Sequence, residues 1–410
     1  MIINQKSRNK KLKNNILSLA QEAKKAKLNN PNTINSTAGM LFDDNGKIYT
    51  FDAVKNAMND LSNEKMFTYS DTGGSVNFRK AILEWVFGSK INEFKDYHLK
   101  AVATPGGSGA ISLTFSTYLN RGDKVLLPKV MWETYITYAE ERECSYLTYD
   151  LYDENGFFNI ESIKYCIEQI GEQENIVLVV NDPCQNPTGF CLKDRDYDLL
   201  IELLNSYSRN IVLLMDMAYF DYYSSNGNLI RSRYAKLTRL NDNILTIFAF
   251  SGSKTFGLYG LRVGAAIVMS KDEEEVIHFK NCFEYIARAN WSSVTTLGES
   301  IIEELVLNDE YKESFKDELC KVSGILVERA KIFIEESEKC GLVTLPFECG
   351  FFVCVPTSNP QKLMDALKKD DVYVITTKTC IRVAICAINK DECARLPQII
   401  KNRMEMDGLN

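Results

Sequence analysis

Between about residues 69 and 268, short apolar segments rich in β-branched residues alternate with segments of helical period. The predicted strands are 100–103, 124–127, 145–149, 175–180, 210–216, 243–249 and 262–268. Several of them are apolar at nearly every position, which is typical of strands covered on both faces. The predicted helices between them include 108–120, 132–143 and 192–206. This alternation predicts an α/β fold in which a mainly parallel sheet lies between layers of helices.

The pattern changes after about residue 272. Helical stretches at 272–289, 293–307 and 309–339 lead into short predicted strands at 343–345, 351–355 and 381–384, with a helix at 360–369. Such a mixture is typical of a smaller α+β domain. We therefore expect a large domain over residues 50–308 and a small domain built from residues 1–49 and 309–410.

Composition excludes several classes of function. The 410 residues carry 48 Lys and Arg against 55 Asp and Glu, a net charge of −7, so we expect no nucleic-acid partner. Every apolar run is far shorter than the roughly 20 residues of a membrane helix, so we expect no membrane partner. Twelve Cys without a CxxC pair, and no signal peptide, predict reduced thiols and a cytoplasmic protein. Two His are too few for a His-rich metal site, and we expect no metal.

The segment from Ser251 to Gly264 carries the strongest local signal. Lys254 follows a predicted strand directly, at the sheet edge where open α/β proteins bind ligands. A desolvated lysine there can capture a carbonyl group, and Arg262 could bind a phosphate. On its own, so short a pattern more often belongs to a solvated loop lysine and a surface arginine.

Two other predicted strands are also followed by polar residues. Asn186 lies in a turn after strand 175–180, and Asp216 ends strand 210–216 with Tyr219 three residues later. A carboxylate at a strand end can pair with a bound cation, and a nearby phenol can reach the same ligand. Taken singly, the turn at Asn186 more often has a purely structural use, and Asp216 could equally serve only to begin a turn.

A glycine-rich segment at 104–110 separates a predicted strand from a predicted helix. Gly107 and Ser108 would place backbone N–H groups at a helix N-terminus, which favours an anion. The segment is not a dinucleotide-binding motif, because Ser112 stands where that motif needs Gly or Ala. Trp132 could stack on a flat ring, although a Trp is more often part of a core.

Together these features match pyridoxal 5′-phosphate (PLP), which has an aldehyde, a pyridine ring and a phosphate. The chain resembles the fold-type I PLP-dependent enzymes, and among them the class I aminotransferases of the aspartate/aromatic subgroup. The resemblance is carried, in chain order, by residues 39–47, Tyr69 with Gly74 and 78–79, 127–132, 186–189, 216–219, 254–262, 291–293 and Arg382. It implies transfer of an amino group from an L-amino acid to a 2-oxo acid.

The resemblance also implies a role for each matching residue. The catalytic residues would be Lys254, which forms a Schiff base with PLP and moves a proton, Asp216, which pairs with the pyridine nitrogen, and Tyr219. The remaining cofactor-binding residues would be Asn186 at the ring oxygen, Trp132 stacked on the ring, and Gly107, Ser108, Ser251 and Arg262 at the phosphate. Tyr69 would reach that phosphate from a neighbouring subunit, which implies a homodimer with shared active sites. Arg382 would bind the substrate α-carboxylate, beside Gly39, Trp132 and Asn186.

Two departures from the family pattern bear on specificity. Gly106 stands where aspartate enzymes often carry Ser, and Ser300 stands where we expect the arginine that binds a second carboxylate. We therefore expect neutral or aromatic donors to be favoured over dicarboxylic ones. Arg288 could supply the missing charge, and Glu299 could instead favour a cationic side chain.

Two other functions remain open on the sequence. A C–S β-lyase of the same fold would use nearly the same cofactor residues. A non-catalytic PLP-binding regulator would not need Lys254 and would carry a basic surface for nucleic acid.

Overall fold

The computed structural model describes residues 2–8, 10–11, 16–223 and 228–409. Its strands are β1 (Ile34–Asn35), β2 (His98–Thr104), β3 (Lys124–Pro128), β4 (Ser145–Tyr149), β5 (Asn175–Asn181), β6 (Asn210–Asp216), β7 (Ile244–Ser251), β8 (Gly264–Ser270), β9 (Phe352–Pro356), β10 (Val372–Tyr373), β11 (Ile375–Thr376) and β12 (Cys380–Ala384). Its α-helices are α1 (Ile16–Asn29), α2 (Asp52–Asn59), α3 (Asn63–Phe67), α4 (Val76–Phe87), α5 (Gly106–Tyr118), α6 (Thr134–Glu141), α7 (Ile160–Gln169), α8 (Asp194–Asn205), α9 (Asn228–Lys236), α10 (Gly252–Thr255), α11 (Glu273–Asn290), α12 (Thr296–Leu307), α13 (Asp309–Cys340), α14 (Pro360–Leu367) and α15 (Lys390–Asp407).

The larger sheet has seven strands in the order β2-β8-β7-β6-β5-β3-β4. All neighbouring pairs from β7 to β4 are parallel, whereas β8 runs antiparallel to both β2 and β7. The predicted α/β fold with a mainly parallel sheet is thus confirmed. Strand β8 begins at Gly264, two residues later than the predicted strand 262–268. The reason is that Arg262 has a left-handed backbone (φ 53°), which a strand does not accommodate.

Both faces of this sheet are covered, as the apolar strands require. Along β6, Leu213 and Met215 contribute to the core on one face, while Val212 and Leu214 contribute to the core on the other. All four side chains are at most 3% exposed. The strand ends are therefore the parts of the sheet that can carry polar groups into a ligand site.

A second group of short strands lies outside the large sheet. Strands β11, β12 and β9 form an antiparallel sheet, and β1 pairs in parallel with β10, with Ile34 opposite Val372. Phe333 and Leu396 lie in the separate apolar core beneath these strands. The N-terminal segment thus contacts the C-terminal part of the chain.

Helix α13 extends over 32 residues and contributes to both cores. Near its start, Phe315 packs edge-on against Phe51, with the ring centroids 5.0 Å apart. Near its end, Phe333 lies in the core under the short strands. The exposed Gly324 lies between the two. The predicted division into residues 50–308 against 1–49 and 309–410 remains a prediction.

The predicted strand at 343–345 is wrong. Val343 is 70% exposed, and a single backbone hydrogen bond, from Leu345 N to Cys354 O (2.9 Å), joins this part of the described chain to β9. Pro346 follows and has no N–H to extend the pairing. Of the described helices, none combines the length and the apolar character needed to cross a membrane.

Candidate active site

A cavity of about 390 Å³ lies where β5, β6 and β7 end. The last residues of these strands, Asn181, Asp216 and Ser251, all line it. It brings together every predicted site residue except Tyr69: Gly39, Gly107, Ser108, Trp132, Asn186, Asp216, Tyr219, Ser251, Lys254, Arg262 and Arg382. Residues separated by more than 300 positions in the chain thus meet in one cavity.

Lys254 enters the cavity from α10, directly after β7. Its Nζ donates a hydrogen bond to Gly39 O (2.8 Å) and lies 4.9 Å from the ring centre of Tyr259. Burial, followed by the nearby positive charges of Arg382 and Arg262, lowers the pKa of Lys254 to about 8. A lysine with this pKa is partly neutral near pH 7 and can act as a nucleophile.

Asp216 is 5% exposed at the end of β6. Its carboxylate accepts hydrogen bonds from the Tyr135 hydroxyl and from Ala218 N (3.2 Å). Burial raises the pKa of Asp216 to about 6, although both hydrogen bonds and the charge of Lys254 act in the opposite direction. The carboxylate is therefore ionised above about pH 6 and can pair with a cation in the cavity.

Tyr135 was not among the predicted site residues. It lies at the start of α6, and Trp132 lies three residues earlier, just before the helix begins at Thr134. The two rings pack edge to face with centroids 5.5 Å apart. Because the sequence predicts a helix over 132–143, the three-residue spacing places Tyr135 on the same predicted face as Trp132, but it does not indicate the contact with Asp216.

Arg382 carries an unsatisfied buried donor. Its Nη2 donates to Thr37 O (2.8 Å), and its Nη1 lies 3.5 Å from Asn186 Oδ1. Its Nε is buried and makes no hydrogen bond within the described chain. The guanidinium lies 4.2 Å from the ring centre of Phe352. A buried cation with a free donor fits an anionic ligand such as a carboxylate.

The walls of the cavity are aromatic. The ring of Tyr219, which is 4% exposed, packs edge to face against Phe351 and Phe352 at centroid distances of 5.1 and 5.8 Å. Trp132 is held in the same way by Tyr135 and Tyr138. Fixed aromatic rings in the lining suit a flat ligand.

Another group of residues in the cavity lining is suited to an anion. Gly107 and Ser108 lie in the first turn of α5, and Ser251 lies beside them. Arg262 is held there by hydrogen bonds from Nη1 to Ser253 Oγ (3.0 Å) and Tyr259 O (3.1 Å). Gly106 has φ 69°, and a Cβ at this position would lie 2.8 Å from Arg262 Nη2. A serine at 106 would therefore displace the arginine.

Tyr69 lies outside this cavity. Its side chain is 95% exposed, and the segment around it is fixed by a hydrogen bond from Thr296 Oγ1 to Thr68 O (2.5 Å). Within one chain, Tyr69 does not join the other predicted site residues.

Ser300 and Glu299 do not line the cavity either. Ser300 is 4% exposed and donates to Lys65 O (2.9 Å), while Glu299 is 1% exposed and accepts from Ser70 Oγ (2.6 Å) and Ser75 N (3.0 Å). The hypothesis that Glu299 selects a cationic substrate is therefore wrong, because its carboxylate is used inside the protein. Arg288 is exposed, and its Nη1 donates to Ser292 Oγ (2.7 Å).

The donor set fits PLP. An amine of lowered pKa can react with the aldehyde, a buried carboxylate can pair with the pyridine nitrogen, and a helix N-terminus with an arginine can hold the phosphate. The unsatisfied Nε of Arg382 is left for the carboxylate of a substrate.

Comparison with known proteins agrees with this chemistry. Residues 31–400 match the family "Aminotransferase class I and II". A tyrosine aminotransferase from Klebsiella pneumoniae is 27% identical over 283 residues, covering 67% of this chain and 69% of the relative. An aspartate aminotransferase from Salmonella typhi is 26% identical over 319 residues, covering 76% and 78%.

A solved aminotransferase structure from Anaerococcus prevotii superposes with a TM-score of 0.94 at 28% identity, covering 98% of this chain and 99% of that one. These relatives are transaminases, so the lyase alternative is not favoured. The chain belongs to the aminotransferase class I and II family and is a PLP-dependent enzyme that moves amino groups between amino acids and 2-oxo acids.

Proposed function

We propose that Lys254 is the residue that PLP attaches to and the group that moves the proton at the substrate Cα. When bound, PLP supplies an aldehyde that captures the amino group and a conjugated ring that accepts electron density from Cα. Support for Lys254 comes from its place between Asp216 and Arg382 in one cavity and from its lowered pKa. This juxtaposition is the observation on which the proposal rests.

The other residues bind and orient the cofactor. Asp216 holds positive charge at the pyridine nitrogen, and Asn186 and Tyr219 bind the ring oxygen. Trp132 covers one face of the ring. The phosphate is bound by the first turn of α5 and the end of β7, through Gly107, Ser108, Ser251 and Arg262.

Arg382 binds the substrate α-carboxylate. Its guanidinium is already oriented by Thr37 and Phe352, so little rotamer entropy is lost on binding. Asn186 Oδ1 and the Gly39 segment complete this end of the cavity. A preference for neutral or aromatic donors over dicarboxylic ones remains a prediction that depends on where Arg288 acts.

A homodimer with shared active sites is part of the proposal. Tyr69 is almost fully exposed and lies outside the cavity of its own chain, as expected if it serves the cavity of a second copy. We also place the enzyme in the cytoplasm, because all twelve cysteines are free thiols.

The test is borohydride reduction of the purified holoenzyme followed by peptide mapping. We expect the cofactor on Lys254, and we expect Lys254→Ala to lose transamination. The exposed Lys271 supplies the control, since Lys271→Ala should retain activity. Labelling of another lysine would overturn the assignment.

A panel of twenty amino acids against 2-oxoglutarate and pyruvate then identifies the donor and acceptor. If amino acids are cleaved to pyruvate and ammonia without an acceptor, the enzyme works as a lyase instead.

A further inference from the structure

Three cysteines that do not line the active-site cavity, and that its chemistry does not use, lie close together in the fold. Cys184 and Cys191 lie in the segment between β5 and α8, and Cys349 lies just before β9. The Sγ of Cys349 is 3.2 Å from the Sγ of Cys184 and 3.3 Å from that of Cys191. All three side chains are buried.

Cys184 is better placed than Cys191 to bond with Cys349. Gly350 has φ 109°, and a Cβ on it would lie only 2.7 Å from Cys184 Cβ, so the two backbones are in close contact. The Sγ of Cys191 instead accepts a hydrogen bond from Cys184 N (3.2 Å). Both sulfurs face Cys349, but that of Cys191 is also held by a backbone N–H, and Cys184 has the closer backbone contact with the Cys349–Gly350 segment.

Cys349 is the member of the cluster that borders a surface cavity, although it is only 7% exposed. It lines a surface cavity of about 450 Å³ between α13 and residues 344–350, which Cys184 and Cys191 do not line. Hydrogen bonds from the other two thiols, aided by the charge of Lys193, lower the pKa of the Cys349 thiol. Burial raises the pKa values of Cys184 and Cys191, so they remain protonated donors. A stabilised thiolate beside such a cavity is the form that reacts with peroxides.

We propose that Cys349 is a peroxide-reactive site and that its oxidation joins it to Cys184 in a disulfide. In the first step the Cys349 thiolate attacks hydrogen peroxide: an S–O bond forms, the O–O bond breaks, and hydroxide leaves and is protonated to water. In the second step the Cys184 sulfur gives up its proton and attacks the oxidised sulfur of Cys349. The S–S bond forms, the S–O bond breaks, and a second water leaves. Two thiols are oxidised and one peroxide is reduced to two waters.

The experiment uses the holoenzyme with Cys282→Ser and Cys320→Ser, which removes the two exposed thiols that could link separate chains. The protein is treated with hydrogen peroxide, its free thiols are alkylated, and its peptides are mapped before and after dithiothreitol. We expect a mass loss of about 2 Da, one peptide pair joining Cys349 to Cys184, and full reversal by the reductant.

Single variants separate the roles of the three cysteines. Cys349→Ser should abolish the disulfide, Cys184→Ser should leave a sulfenic acid on Cys349 that a dimedone probe traps, and Cys191→Ser should still form the disulfide. The proposal would be overturned if Cys349 formed its disulfide only with Cys191. It would also be overturned if Cys349 stayed unmodified after every other thiol had reacted. The proposal would also be overturned if the purified protein held one zinc or copper ion per chain and lost it only in variants that lack these three thiols.

Discussion

The hydroxyl of Tyr135 donates a hydrogen bond to the carboxylate of Asp216, and both side chains are buried. The bond joins the start of α6 to the end of β6. It favours the ionised form of a carboxylate that burial would otherwise keep protonated. Tyr135 is thus positioned to set the charge of Asp216 without touching the substrate.

Replacing Tyr135 with Phe should raise the pKa of Asp216, because the hydrogen bond that lowers it is lost. We expect the acid limb of the kcat/KM pH profile to move to higher pH and the rate at pH 7 to fall about tenfold, or roughly 1.4 kcal/mol. Tyr149→Phe is the matched control, since that buried hydroxyl donates to Val179 O (2.9 Å) instead. An unchanged acid limb in Tyr135→Phe would contradict the assignment.

Replacing Asp216 with Ala should reduce kcat far more than it affects KM. The variant keeps Arg382 to bind the substrate but loses the charge paired with the cofactor ring. We expect kcat to fall by several powers of ten, at least about 4 kcal/mol of transition-state stabilisation. Steady-state kinetics with saturating cofactor tests this, and a loss confined to KM would count against it.

Glu299 should make the protein less stable as pH rises. Burial, and to a lesser degree the charge of Glu303, raise the pKa of Glu299 to about 7, while hydrogen bonds from Ser70 and Ser75 oppose this. The folded state therefore holds the proton more tightly than the unfolded state. This contribution to stability is complete below about pH 4.5 and is lost as pH rises through 7, with an upper limit of about 3 kcal/mol.

Glu299→Gln should remove that dependence. In thermal unfolding from pH 4.5 to 8, the unfolding temperature of the variant should rise relative to that of the wild type as pH increases. The exposed Glu154→Gln is the control, and parallel curves for wild type and Glu299→Gln would show that the carboxyl does not titrate in this way.

Donor preference depends on Arg288. None of Ser300, Glu299 and Arg288 lines the cavity of its own chain, but Ser300 and Glu299 are buried, whereas Arg288 is exposed. Arg288 is therefore the remaining candidate of the three for binding a second carboxylate. We expect kcat/KM for phenylalanine or alanine to equal or exceed that for aspartate, with lysine poorest. A tenfold preference for aspartate, about 1.4 kcal/mol, would contradict this. If that preference disappears in Arg288→Ala but persists in the exposed control Arg121→Ala, Arg288 supplies the anchor.

The sequence was most informative about the sheet and the residues at its edge. Asn186, Asp216 and Lys254 follow strands that are parallel neighbours, so their convergence can be inferred from strand order alone. Tyr135 could not be assigned in the same way, because its role depends on how α6 packs against β6.

Helix orientation and distant contacts were the main sources of error. Counting nine residues on from Trp291 predicts that Ser300, and Glu299 beside it, lie near the substrate. In the structure, α12 turns both side chains towards residues 65–75. The contact between Cys184 and Cys349 joins positions 165 residues apart, and no local pattern in the chain predicts it.

Helix α13 has a mechanical consequence for the enzyme. It is about 48 Å long, and each of its ends is fixed in a different apolar core. Any rotation of one core against the other must therefore bend or twist helix α13. Gly324 lies near the middle of α13 and has the lowest helix propensity of any residue in it. The helix therefore bends most easily at that point. An alanine there would stiffen the connection between Lys254, carried by one core, and Arg382, carried by the other.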